Sequence, residues 1–372
     1  MDSGSDALWL RTVDLRKLEA HFVRMKSLHL IGLMAMAGTA VYGQPTNGAV
    51  YWSTTQPDCS SLNESPVTIT DSSGTTLGYS CYVSGTFLWL AAGGVNNNPA
   101  KWGTAIRVAA PASGAIGVDY TFYDTTGASQ RMDTAGSINN SGNELSFALN
   151  ANQPSEIDLL GATRNAPTYG TTATGSVYAL FYCPDAGTCS SVLPQLIYSA
   201  QPTYPWSLSV PITWDDAVWT QWSAEGIDDG SSGTHRVSLV IYNEDTTATT
   251  YTVRVYNSSG TLVGTGTTPS IPGLPTLSDG SYGEGGTYGA LLSQIIKTPL
   301  PSGIFKILVD GGTLYSAVEV LQINGTSATT LQVAYDSAPA STASAVAVAH
   351  ASSIRRVRVE STPKRVFREL PK

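Results

Sequence analysis

Histidine is nearly absent from this chain. Only four occur in 372 residues, and His21, His29 and His350 lie near the ends. A Ser-His-Asp triad or a multi-histidine metal centre in the body would therefore have to run through His235 alone. Standing next to Arg236, that residue reads as a solvated strand end. Charge is also sparse: Asp, Glu, Lys and Arg make up 13% of the residues, against about 25% in ordinary globular domains. With 36 Gly and 20 Pro, this argues against coiled coils and long helices. Cations are the rarest charges. Residues 1–43 carry 5 basic and 4 acidic groups and residues 337–372 carry 7 and 2, which leaves 8 basic and 22 acidic groups, net −14, over residues 44–336. Such a body repels phosphate, so no nucleic-acid partner is expected. The sequence contains no G-x-S-x-G elbow, H-E-x-x-H pair or phosphate-binding G-x-x-x-x-G-K-[ST] loop, and no cofactor is expected. The apolar run Leu28–Val41 has 14 residues, too few to span a bilayer comfortably.

What is present points to export. Arg24 and Lys26 precede that apolar run, which ends in Val41-Tyr42-Gly43 before Gln44. A basic start, an apolar middle and small residues before the cut form a secretory signal peptide over residues 25–43. Residues 1–24 are then an upstream extension, and translation is expected to start at Met25. After signal removal no transmembrane segment is expected, and the protein belongs in the periplasm, at the cell surface or outside the cell. In that compartment the four cysteines form disulfides. Three pairings are possible. Cys59 and Cys81 flank a hairpin, and Cys183 and Cys189 close a short loop, so Cys59–Cys81 and Cys183–Cys189 are the economical choice. Zinc is disfavoured, since the spacing offers neither C-x2-C pairs nor nearby histidines.

The body repeats itself. Thr104, Ile106 and Val108 precede Val237, Leu239 and Ile241 by 133 residues, and Val118, Tyr120 and Phe122 precede Tyr251, Val253 and Val255 by the same interval. Leu159-Leu160 matches Leu291-Leu292 at 132, and Val177–Leu180 matches Ile304–Ile307 at 127. Alternation puts Val118, Tyr120 and Phe122 on the buried face of a half-buried strand and turns Asp119 and Thr121 to water. The turns Asp124-Thr125-Thr126-Gly127, Asn257-Ser258-Ser259-Gly260 and Asp71-Ser72-Ser73-Gly74 share a design. The first side chain accepts hydrogen bonds from the turn backbone, and the glycine supplies a positive φ. Short strands with Gly/Pro punctuation describe β-sandwiches.

The segment Tyr251–Val263, with its strand-turn-strand pattern, and its first-copy counterpart resemble the immunoglobulin-like or fibronectin-type modules of secreted and surface proteins of soil bacteria. The resemblance spans about residues 90–336 and implies architecture and location, with no catalytic residues to carry over. It lacks the cysteine pair that bridges the sheets around a tryptophan in antibody-type domains. The expected fold is all-β, two tandem immunoglobulin-like β-sandwich domains: residues 44–203 with an N-terminal hairpin, then 204–336. The Pro-rich stretch Gln201–Trp206 is the linker, and 337–372 is a disordered basic tail.

Two clusters are candidate sites. Trp206, Trp214, Trp219 and Trp222, with Asp215, Asp216 and Gln221 interspersed, could stack sugar rings and bind their hydroxyls; the competing reading is packing in a core or at the domain junction. Asp228 and Asp229, followed by Gly230-Ser231-Ser232-Gly233, are a weak Ca²⁺ candidate without the distal Glu of an EF-hand, against a polar inter-strand loop. The expectation is an exported, non-enzymatic scaffold or adhesion protein with polysaccharide or other surface proteins as partners. The alternative is a carbohydrate-binding protein using residues 204–222, and a weaker one is a hydrolase working through paired carboxylates.

Overall fold

Residues such as Val118-Asp119-Tyr120-Thr121-Phe122 alternate large apolar with polar side chains and are rich in β-branched and aromatic types, which favours pleated strands over helices. In a computed structural model of the chain, strands dominate. The structure describes residues 49–335 except 72–73, 93–100, 162–172, 202–205, 215–219, 229–234, 277–282, 302, 313, 325–326 and 332. The signal peptide, the upstream extension and the tail lie outside the described residues.

The first half contains β1 (Val67–Thr70), β2 (Thr76–Ala92), β3 (Lys101–Ala109), β4 (Ile116–Asp124), β5 (Met132–Gly136), β6 (Ser141–Gly142), β7 (Glu144–Leu149), β8 (Pro154–Gly161) and β9 (Ala173–Cys183). A short helix α1 (Ala186–Ser190) leads to β10 (Gln195–Gln201), β11 (Trp206–Pro211) and β12 (Thr213–Trp214). The second half contains β13 (Gln221–Asp228), β14 (His235–Asn243), β15 (Thr252–Asn257), β16 (Leu262–Thr267), β17 (Thr287–Leu291), a turn of helix α2 (Leu292–Ile295), β18 (Ile304–Asp310), β19 (Ser316–Asn324), β20 (Ser327–Leu331) and β21 (Val333–Tyr335).

These strands form four antiparallel sheets in two sandwich-like pairs. In the first, the order β1-β2-β9-β4-β7, with β12 also on β2, faces β11-β10-β3-β8-β5-β6. Phe87, Val118 and Phe181 from one sheet meet Ile106, Ile157 and Leu196 from the other in one buried core. Asp119 and Thr121, expected to face water, are buried as well, because Tyr51 covers that face of β4 beside Gly117. In the second, β16-β15-β18-β13-β21 faces β17-β14-β19-β20, enclosing Trp222, Leu239, Tyr251, Val253 and Ile307.

The pairing registers align the two halves strand by strand. Phe122 pairs with Val177, and Val255, 133 residues on, pairs with Ile307. Val177 therefore corresponds to Ile307, an interval of 130. The match at 127 suggested by hydrophobic similarity would equate buried Val177 with Ile304, which is 59% exposed; a shift of three residues turns the side chains to the other face. Likewise Ala105 pairs with Asp158 and Ser238 with Leu291, which makes the interval 133 and equates buried Leu159 with buried Leu292. On the same register β2 corresponds to β13 at 137. Both carry an irregularity at the equivalent place, between Phe87 and Leu90 and between Ala224 and Ile227. Trp214, paired with Gly85, corresponds to Tyr335, paired with Trp222. The halves differ in their connections: the second joins β16 to β17 by a longer segment than the first uses between β7 and β8, and the first carries an insertion of its own. After the turn at Asp124, Ser129 bridges back to Tyr123, then the chain leaves as β5 and β6 for the opposite sheet before β7 resumes beside β4.

All three repeated turns have the expected chemistry. Asp71, Asp124 and Asn257 accept from the glycine three residues on at 3.0, 3.0 and 2.9 Å. Their side chains also accept from the backbone of Thr75, Thr126 and Ser259. Gly74, Gly127 and Gly260 have φ of +83°, +82° and +77°. Both expected disulfides are formed, Cys59–Cys81 and Cys183–Cys189. Cys81 and Cys183 are register partners on β2 and β9, so the two bridges lie side by side in the first core.

Candidate functional site

The aromatic cluster read from the sequence is divided by the fold. Trp222 points inward from β13. It is 7% exposed, lies in the second core, and its indole Nε1 donates to Ser316 O at 2.9 Å. Trp214, on the two-residue strand β12, is half-buried and packs against the first core, its ring edge-on to Phe181 at 6.2 Å. Gln221 begins β13 as the register partner of Asp310 on β18. Trp206 begins β11 and Asp228 ends β13; their side chains, and Asp215, Asp216, Trp219 and Asp229, lie outside the described residues. Trp214 and Trp222 thus serve two different cores.

A second constellation, not read from the sequence, joins the two sheet pairs. Leu88 on β2 packs with Val240, Tyr242 and Ala317 from β14 and β19 in a buried apolar cluster flanked by Trp89. Thr287 ties the halves twice: its Oγ1 donates to Leu88 O at 2.8 Å and its N–H donates to Thr125 O at 3.1 Å. A Cβ on Gly289 would lie 3.1 Å from the Trp89 ring, and one on Gly127 only 2.2 Å from Glu284 O. Polar groups are sealed into this region. Tyr242 Oη donates to Glu284 and accepts from Gly285 N–H at 3.2 Å. Glu319 on β19 is 8% exposed, with Oε1 lacking a hydrogen-bond partner. Burial pushes its carboxyl up to about 8, because a low-dielectric site disfavours the charged form. Tyr198 on β10, whose hydroxyl donates to Trp89 O, is pushed well above the usual phenol range by burial and then by Glu319. The signal available in the sequence was the apolar run Leu239–Tyr242, which marks a strand covered on both faces.

Two clefts lie on the second sheet pair. One of about 480 Å³ is formed by Tyr256, Ile304, Lys306 and Glu225, with Lys306 and Glu225 at 3.4 Å across it. The other, about 600 Å³, lies between the start of β14 and the segment following α2, and is lined by Arg236, Val237, Leu292, Ile296, Lys297 and Leu300 among others. That segment is seated by glycines: a Cβ on Gly264 would fall 2.7 Å from Leu300 and 2.8 Å from Ile296, and one on Gly266 only 2.2 Å from Ile295 O. Among the described residues, no group of three or more His, Cys, Asp or Glu side chains is placed to hold a metal ion. No described helix is long and apolar enough to cross a membrane.

The sheets and their two disulfides define the class: an all-β protein of antiparallel sheets packed in pairs. No protein-family model, curated protein or solved structure matches the chain.

Proposed function

We propose that this chain is an exported, non-enzymatic scaffold or adhesion module made of two tandem immunoglobulin-like sandwiches. The observation that carries the reading is the sealed junction around Leu88, Val240, Tyr242 and Ala317. Domains joined by polar, open interfaces move relative to one another. A buried junction with an apolar cluster and backbone ties instead holds two modules as a stiff unit, as a spacer or surface scaffold requires. Two buried disulfides support an oxidising destination. The partner in this reading is a polysaccharide or another surface protein.

Two measurements test it. Expressed with its own leader, the chain is expected outside the cytoplasm with all four cysteines oxidised; cytoplasmic protein with free thiols overturns the export reading. Affinity electrophoresis against plant and microbial polysaccharides separates the scaffold reading from a carbohydrate-binding one. Retardation that Trp206→Ala or Trp219→Ala abolishes without unfolding would establish a sugar platform at 204–222, whereas unretarded migration leaves the scaffold.

A further inference from the structure

Cations are few in this body, and four of those with described side chains are neutralised. Arg107 pairs with Glu156, Arg131 with Asp133, Arg254 with Asp310 and Lys306 with Glu225. Arg236 and Lys297 are different: among the described residues no carboxylate forms an ion pair with either, and both line the same 600 Å³ cleft. Among the described residues no acidic side chain lines that cleft, although acids outnumber bases by 22 to 8 over residues 44–336. Its floor is apolar, with Val237, Leu292 and Ile296 buried and Leu300 half-buried, while Arg236 and Lys297 are exposed at the rim. Pockets that combine an apolar lining with a few placed polar groups are the usual form of small-molecule sites. Two cations without an ion-pair partner among the described residues supply a field that an anion completes.

We propose that this cleft binds a small amphipathic carboxylate, its charged head between Arg236 and Lys297 and its apolar body against Val237, Leu292, Ile296 and Leu300. Arg supplies a planar fork suited to a carboxylate, and Lys adds a compact charge. Because the head stays at the rim, binding weakens as salt screens it. The described lining contains no aromatic ring, which favours an aliphatic body over a sugar face.

Isothermal titration of the full chain with octanoate, octanol and acetate tests this directly. Octanoate is expected to bind, with octanol and acetate each at least tenfold weaker, because the first lacks the charge and the second the body. Arg236→Gln with Lys297→Gln should weaken octanoate at least tenfold with an unchanged melting temperature, since both side chains are exposed. Arg236→Lys with Lys297→Arg should retain most of the binding, and Lys306→Gln, which removes a charge elsewhere, should leave it unaltered. The proposal is overturned if octanoate fails to bind, if octanol binds as well as octanoate, or if Lys306→Gln weakens binding as much as the double variant.

Discussion

Glu319 shows how much a single buried group can decide. In the unfolded chain its carboxyl titrates near 4.5, whereas in the folded protein burial holds it at about 8. Between those values the native state keeps a proton that the unfolded state has released, so stability falls as pH rises through that window, by at most about 1.4 kcal/mol per pH unit. Thermal melts from pH 5 to 8.5 should show this decline, and Glu319→Gln, which mimics the protonated form, should flatten it. Equal slopes in both proteins would show that Glu319 does not carry the effect. Glycine gives a matched pair of tests. Gly127 and Gly260 hold the same place in the same turn with nearly the same positive φ. A Cβ on Gly260 meets nothing within 4 Å, while one on Gly127 runs into the Glu284 carbonyl of the second half. Gly260→Ala should cost roughly 1 kcal/mol, the left-handed penalty, and Gly127→Ala clearly more in the same denaturant titration. Trp222→Ala should cost about 3–5 kcal/mol, by emptying a core site and removing the indole hydrogen bond to Ser316 O.

At the scale of elements, the strands of the two halves obey one register, and the shared irregularity in β2 and β13 marks it independently of side-chain similarity. The sequence repeat was legible where Val118, Tyr120 and Phe122 alternate, because period two is visible locally. It was misleading at β8 and β9, where several apolar residues in a row allow a match that puts the wrong face inward; only the ladder pairing distinguishes them. Disulfide pairing was legible because both loops are short. Removing Cys59–Cys81, with its separation of 22, should cost roughly 3 kcal/mol, and Cys183–Cys189, with a separation of 6, roughly 2 kcal/mol on loop-closure grounds. Urea titrations of Cys→Ala pairs would measure both; a larger loss from the shorter loop would show that core packing of the sulfurs outweighs the loop term.

At the scale of the whole molecule, the junction determines whether the two sheet pairs behave as one. With Leu88 inserted against Val240, Tyr242 and Ala317, the pairs should unfold in a single calorimetric transition, and Leu88→Asp should split it into two by burying an unpaired charge. Two transitions in the unaltered protein would mean the junction is too weak to couple them. Composition and local pattern alone determined the all-β class, the duplicated strands, the three turns and both disulfides, because each depends on residues near one another in the chain. The tertiary structure decided the rest. It sent Trp214 and Trp222 to separate cores, sealed Glu319 beside Tyr198, and brought Arg236 and Lys297 to the rim of one cleft. Those outcomes depend on which surfaces meet after the strands have formed, and burial and pairing between distant segments leave no periodic trace in the order of residues.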